Sequence, residues 1–261
     1  MGYTIKALSD GFWKISDSRG DTAYLIEGER QALLIDTAMD DEPIRPHISR
    51  LTDKPVVLAL THAHIDHMYR CDEFDQVYIH EMDIMDWKNG LGRVMGLAFP
   101  LFKVKRKRFN SDNFMPLHDD SEIDLGGFSV KCLRVSGHTR GSVLFIDSRH
   151  KAVLCGDATG LAMWLFLPYC TDVSTYMQNL EKAEKELLPY EDYSFYRGHS
   201  EPAGMPPEPL SRQTFTDMRV LCEKLLAGTA DIRKVDQFRW LSLFYAKNAS
   251  AGMVVRKGKI K

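Results

Sequence analysis

The sequence predicts an α/β chain whose order of elements fits a four-layer αββα sandwich, though periodicity alone does not draw that topology; three observations carry the prediction. Short runs rich in β-branched and aromatic residues fill the first part of the chain and return in its middle. Helical stretches follow each set of strands. A histidine cluster stands directly after a buried strand, the position at which layered α/β chains place their sites. Strands, helix, strands, helix reads as two β-rich halves with helices outside and one shared site between two sheets. A length of 261 residues is ordinary for one layered domain, and residues 1–261 are read as a single domain.

Taken in order, Gly11–Ile15, Thr22–Glu27 and Gln31–Asp36 read as strands, with Glu27-Gly28-Glu29-Arg30 as the turn between the last two. Pro43–Leu51 reads as a short helix with Asp40 or Asp41 near its start. Val56–Leu60 is a continuous apolar run of strand length, consistent with a buried strand. Residues 88–118 look like a lid or insertion, mixing the apolar Val94–Phe102 with the basic run Lys103-Val104-Lys105-Arg106-Lys107-Arg108. Strand-like segments return at Ser129–Val135, Val143–Asp147 and Ala152–Cys155. Val173–Leu188 is an amphipathic helix, because Val173, Tyr176, Met177, Leu180, Ala183 and Leu187 keep helical spacing. Phe195–Arg197 is a short strand, Pro209–Leu226 a helix, and Arg239–Val255 a strand pair or a helix plus strand.

Composition excludes several classes. A net charge of −2 gives no general attraction to nucleic acid or anionic membrane. The longest apolar run, Leu161–Pro168, is too short to span a bilayer, and no secretory leader is visible at the start. Five cysteines, Cys71, Cys132, Cys155, Cys170 and Cys222, form no C-x-x-C pair, so a disulfide framework is not expected and a cytoplasmic location is. The partner expected is a small-molecule substrate, with neither membrane nor nucleic acid.

The sharpest signal is His62-Ala63-His64-Ile65-Asp66-His67. Three imidazoles and a carboxylate fall within six residues, and these are the usual ligands of zinc and neighbouring transition metals. In an extended loop His62 and His64 point to one side together, and Asp66 and His67 reach a second ion. The other histidines outside later motifs, His47, His80, His118 and His150, are scattered and suit ordinary roles.

H-x-H-x-D-H resembles the signature of the metallo-β-lactamase superfamily, and four further motifs follow the family's order. They are Leu33-Leu34-Ile35-Asp36-Thr37, Ser136-Gly137-His138-Thr139, Cys155-Gly156-Asp157 and Gly198-His199-Ser200. The resemblance covers nearly the whole chain and implies the metallo-β-lactamase fold. Carried over, it implies that His62, His64 and His138 hold a first metal and Asp66, His67 and His199 a second, with Asp157 bridging both. Asp36 would brace the histidine loop through hydrogen bonds without touching metal. The cofactor implied is a pair of divalent metal ions, zinc first, with iron or manganese as alternatives. One departure stands out. Family members often follow the signature with glycines, whereas Met68-Tyr69-Arg70-Cys71 stand here, which implies a more crowded mouth.

The resemblance implies a dinuclear hydrolase that uses a metal-bridging hydroxide, with Asp66 orienting it and handling its proton. Asp157 argues against a β-lactam substrate, because the true β-lactamases of the family lack that aspartate while its thioesterases, lactonases and ribonucleases have it. A carboxylic ester, lactone or thioester is the leading substrate class. A phosphodiesterase or nuclease, or a non-catalytic metal-binding member, is the alternative. Met163, Trp164, Phe166 and Tyr169 follow Asp157 closely and are the candidates for an apolar substrate wall, with plain core packing as the other reading. Tyr196 is a further candidate donor to an oxyanion.

Overall fold

The computed structural model of the protein describes residues 2–97, 99–200, 209–235 and 242–261. The chain forms β1 (Thr4–Ser9), β2 (Phe12–Ser16), β3 (Thr22–Glu27), β4 (Ala32–Ile35), α1 (Arg45–Ile48), β5 (Val56–Ala59) and α2 (Ile65–Met68). It continues through β6 (Val77–His80), α3 (Glu81–Asp86), α4 (Gly92–Gly96), α5 (Phe99–Phe102) and β7 (Phe114–Leu117). Then come β8 (Glu122–Asp124), β9 (Ser129–Arg134), β10 (Val143–Asp147), β11 (Ala152–Leu154), β12 (Met163–Leu165) and α6 (Val173–Glu186). The last elements are β13 (Ser194–Tyr196), α7 (Gln213–Leu226), β14 (Ile232–Val235), β15 (Leu243–Asn248) and β16 (Ala251–Arg256).

The first sheet runs β1 to β7 in chain order, antiparallel to β4 and parallel from there on. The second has the order β13-β11-β10-β9-β8, and a third, β12-β16-β15-β14, packs on α7. Strand alternation explains the layers. Tyr24, Ile26, Leu33 and Ile35 point from the first sheet toward Val130, Cys132, Val143 and Phe145 of the second. The intervening Leu25 and Leu34 face the opposite way, against Ile48, Ile65, Met68 and Leu91. On the far side of the second sheet, Leu144, Ile146 and Val153 bury against Tyr176 and Leu180 of α6 and Phe215 and Met218 of α7. The central strands β3, β4, β10 and β11 are covered on both faces, so they read as nearly unbroken apolar runs. The architecture is the αββα sandwich.

Several elements differ from the sequence reading. The Pro43–Leu51 helix is one turn, α1, and neither Asp40 nor Asp41 caps it. Its first N–H groups, Ile44 and Arg45, donate instead to the Glu73 carboxylate. Asp40 accepts from Glu42 N–H nearby, and Asp41 from the Tyr69 hydroxyl. The 88–118 segment does not stand apart from the core, because Leu91, Met95, Phe99, Val104 and Phe114 are all buried. Its end is β7, a parallel edge strand whose Pro116 has no N–H to give, which hid it from a strand reading. Part of Val94–Phe102, at Ala98, lies outside the described residues. The crowding expected from Met68–Cys71 is also absent from the mouth. Met68, Tyr69 and Cys71 are buried beneath the first sheet's outer layer, because α2 turns them inward. Of the two readings of Arg239–Val255, the strand pair β15–β16 forms, and residues 236–241 lie outside the description. The helix expected from Pro209 begins at Gln213.

Candidate metal centre

Every ligand-type motif leaves a strand at the same end of the two sheets. Thr61–His67 follows β5, Ser136–His138 follows β9, Cys155–Asp157 follows β11 and Gly198–His199 follows β13. Backbone bonds then stitch the loops together. Val143 N–H donates to Thr61 O at 3.0 Å, Gly198 N–H to Gly156 O at 2.9 Å, and Thr22 N–H to Gly198 O at 2.9 Å. Gly198 must be glycine here, since a Cβ would lie 2.5 Å from His67 Cε1 and 2.8 Å from Asp157 Oδ1. The histidine run is not wholly extended. His64 has extended backbone and opens the one-turn helix α2, so Asp66 and His67 sit on helix rather than loop.

The structure brings seven side chains together in three overlapping groups whose donor atoms lie within 4.8 Å of one another. The groups are His62, His64 and His138; His62, His67 and Asp157; and Asp66, His67 and His199. Asp157 stands between them. Its carboxylate lies 3.5 Å from His67 Nε2, 3.6 Å from His138 Nε2 and 3.2 Å from His199 Nε2. Asp66 Oδ2 lies 3.8 Å from His199 Nε2 and 4.0 Å from His67 Nε2.

The outer hydrogen bonds decide which nitrogen of each ring faces inward. His67 Nδ1 lies 2.8 Å from Asp36 Oδ2, and His199 Nδ1 2.9 Å from Asp21 Oδ1. His138 Nδ1 donates to Trp164 O at 2.8 Å. Thr61 Oγ1 donates to Asp36 Oδ2 at 2.8 Å, which leaves its oxygen to accept from His62 Nδ1 at 3.1 Å. Asp36 also takes Thr61 N–H at 2.7 Å, with its own backbone at φ 60°. With Nδ1 carrying the proton in these four rings, each Nε2 presents a lone pair to the centre. His64 differs, offering Nδ1 at 2.8 Å from His138 Nε2.

This donor set fits a metal. His62 Nε2 and His67 Nε2 are buried and have no hydrogen-bond partner among the described atoms, a costly state for a lone pair that a cation relieves. A proton on His64 Nδ1 could satisfy the His64–His138 pair alone, but nothing of that kind serves His62. Electrostatics divide the rings. Burial, then the neighbouring imidazoles, push His62 and His64 well below the usual histidine pKa, and burial lowers His138. Burial acts the same way on His67, but Asp36, Asp157 and Asp66 outweigh it and raise the ring to about 9. Asp157 likewise outweighs burial and raises His199. Burial alone would raise Asp157, yet His199 and His67 hold it well below the carboxylate range.

The chain matches the family model described as "Metallo-beta-lactamase superfamily" over residues 19–199, well over half its length. The chain belongs to the metallo-β-lactamase superfamily. It is 24% identical over 212 residues to the bovine (Bos taurus) protein named acyl-coenzyme A thioesterase MBLAC2, an alignment covering 69% of this chain and 75% of that one. It is 28% identical over 145 residues to the Bacillus subtilis probable metallo-hydrolase YqgX, covering 52% of this chain and 64% of the relative, just under two thirds of it. Among solved structures it resembles the metallo-β-lactamase family protein TTHA1429 from Thermus thermophilus, with TM-score 0.62 and 19% identity over 85% of this chain and 82% of that one. Family membership, hydrolases among the relatives and the clustered ligand-type side chains together mark a metal-dependent hydrolase.

The remaining candidates scatter. In β12, Met163 and Leu165 turn into the core, while Trp164 between them faces the other way and is half-buried. Phe166 is buried with its ring 5.1 Å from Trp164. Tyr169, at φ 71°, donates its hydroxyl to Asn89 O at 3.0 Å. Tyr196 packs between Phe12 and Tyr24 in the core between the sheets. The basic run is partly engaged: Val104 is buried and Lys107 pairs with Asp72. Of the apolar stretch before it, Leu97 is openly exposed.

Sequence reasoning missed two carboxylates. Asp21 reaches His199 across 178 residues of chain, with no motif of its own; burial pushes its pKa to about 6. Asp83 is fully buried and bonds both histidine loops, and burial raises it to about 6 as well. The acids at 83 and 86 share one helix face, but nothing local in the sequence ties them to residues 139–141.

Proposed function

We propose that the protein hydrolyses a carboxylic ester, lactone or thioester at a dinuclear metal centre, with a small thioester as the leading substrate. The observation that carries this is Asp157, whose one carboxylate lies within 3.6 Å of imidazoles from both histidine groups. In this reading His62, His64 and His138 hold one ion, Asp66, His67 and His199 the other, and Asp157 joins them. Zinc suits this donor set, and iron or manganese would be accepted by it. When bound, such ions supply a water acidic enough to ionise near neutral pH and a Lewis acid for the substrate carbonyl.

The chain's own groups do the rest. Asp66, half-buried at the opening, is placed to orient the attacking water and take its proton at a carboxylate oxygen. Trp164 and Phe166 offer an apolar surface for the acyl part, and Tyr169 ties that wall to Asn89. The name of the bovine relative supports a thioester. The partly engaged basic run gives a phosphodiester less support. Five buried cysteines without a disulfide accord with a cytoplasmic setting, which belongs to the same proposal. No helix among the described residues is long and apolar enough to cross a membrane.

The test is a hydrolysis screen across thioesters, lactones, β-lactams and phosphodiesters, with metal analysis on the same sample. Turnover of thioesters or lactones, lost in Asp157→Ala, is expected. Preferential phosphodiester turnover, or a fully metal-loaded protein inert to the whole panel, overturns the reading.

A further inference from the structure

The three histidines of the first group come from two loops far apart in sequence, and their mutual position needs a device that holds both loops at once. Helix α3 lies beside both loops. Its Asp83 is completely buried, and its carboxylate accepts three bonds that cross between them. Oδ2 takes Ala63 N–H at 2.8 Å, the peptide between His62 and His64. The same oxygen takes the Thr139 hydroxyl at 2.9 Å, next to His138. Oδ1 takes Gly141 N–H at 2.7 Å.

One helical turn on, Asp86 is also fully buried and accepts Arg140 Nε–H at 2.8 Å in a two-pronged pair. Residues 139, 140 and 141 are thus each held by one of two acids on the same face of α3. Gly141 shows how close the fit is, for a Cβ there would stand 2.6 Å from Asp83 Oδ1 and 2.7 Å from Asp83 N.

We propose that Asp83, supported by Asp86, is a positioning residue that sets the spacing of His62, His64 and His138, and so tunes metal affinity at that group alone. It touches none of the imidazoles; it acts through the peptides beside them. In the second group His67 and His199 are braced by Asp36 and Asp21, neither of which bonds Asp83, although Asp36 also holds Thr61 beside His62, so the loss of Asp83 should fall on the first group. The inference rests on the metal reading of the centre given above.

Asp83→Asn is the direct test. An amide must turn its NH2 toward either Gly141 N–H or Ala63 N–H, so at least one loop loses its acceptor to a donor facing a donor. Metal-depleted protein is titrated with Co²⁺ against a competing chelator, and the two equivalents are followed by their visible absorption. In Asp83→Asn one equivalent should weaken roughly 10–100-fold, the usual size of an outer-partner effect, and the other should hold within about threefold. Gly141→Ala, which pushes the carboxylate off its seat, should repeat the pattern if Asp83→Asn fails to fold. Equal weakening of both equivalents, or unchanged affinities, overturns the clamp while the function stands. A wild-type protein that takes up no Co²⁺ overturns the proposed function and the clamp together.

Discussion

The two histidine groups sit side by side yet are held by opposite means. Around His62, His64 and His138 the outer partners are neutral: a threonine hydroxyl, a backbone carbonyl and an imidazole neighbour. Around His67 and His199 they are carboxylates, Asp36 and Asp21. Burial follows the same division. The first group is closed off, whereas Asp66 and His199 keep 21% and 38% of their side-chain surface. Burial thus favours the neutral form of the first three rings, while the neighbouring carboxylates favour the charged form of His67 and His199. The lesson is that one centre can combine a dry, prearranged pocket with an open, charge-rich one, and the open one is where a water and a substrate can enter.

The comparison breaks most visibly at Asp157, whose carboxylate lies within 3.6 Å of His138 from one group and of His67 and His199 from the other. Asp157→Ala should lower bound metal from near two ions per chain and abolish turnover, as elemental analysis and the hydrolysis assay would show. Retention of both ions would mean that Asp157 does not join the groups. Asp66→Asn acts on the open side alone. It should cut kcat about 10²–10⁴-fold, the range for loss of a positioned proton acceptor, and a kcat close to wild type would remove Asp66 from the chemistry. Asp36→Ala should weaken metal affinity by about 10–100-fold with the loss concentrated on the His67 side, measurable by chelator competition. A uniform loss would erase the distinction between the groups.

A smaller effect is expected on the closed side. The carbonyl of Trp164 fixes His138, and under the proposed function its ring would form part of the wall that binds substrate. Trp164→Ala should raise KM more than it lowers kcat, since binding common to ground and transition states is lost. Steady-state kinetics unchanged from wild type would show that the ring faces no substrate.

The smallest effect concerns a carboxylate–imidazole bond outside the centre. His150 Nδ1 lies 2.5 Å from Asp147 Oδ2, at the opposite end of β10 from the loops that carry the ligands. The bond to Asp147 raises the histidine pKa against the opposing pull of burial. A raised histidine pKa adds stability that is complete below the unfolded value near 6.5 and fades as pH rises through the folded value. Chemical denaturation should show that decline in the wild type and its absence in His150→Gln. The same slope in both proteins would show that the pair carries no linkage.

Much of the site was legible because it is local. Six residues, His62 to His67, carry four donors, and the motifs at 138, 157 and 199 each keep their own short context. Runs of β-branched, aromatic and other apolar residues in Thr22–Glu27 and Val143–Asp147 similarly placed strands without any tertiary knowledge. Strands with weak local signals were not legible. β7 holds Pro116, which argues against a strand, and β1 is mostly exposed and shows no apolar pattern. Met163 and Trp164 are neighbours in a single apolar run. Only the pairing of β12 with β16 and the core beside it decided which faces inward.

By itself, then, the sequence determined the donor chemistry and an order of strands and helices that fits the layers, because residue type and spacing are properties of short stretches. Only the tertiary structure decided which nitrogen each ring turns to the centre, because that depends on partners distant in the chain. Asp21 meets His199 across 178 residues, and Asp83 meets Gly141 across 58. No local pattern encodes such pairs. They exist because two sheets packed face to face bring their loop ends within hydrogen-bonding distance, where buried polar groups must find one another.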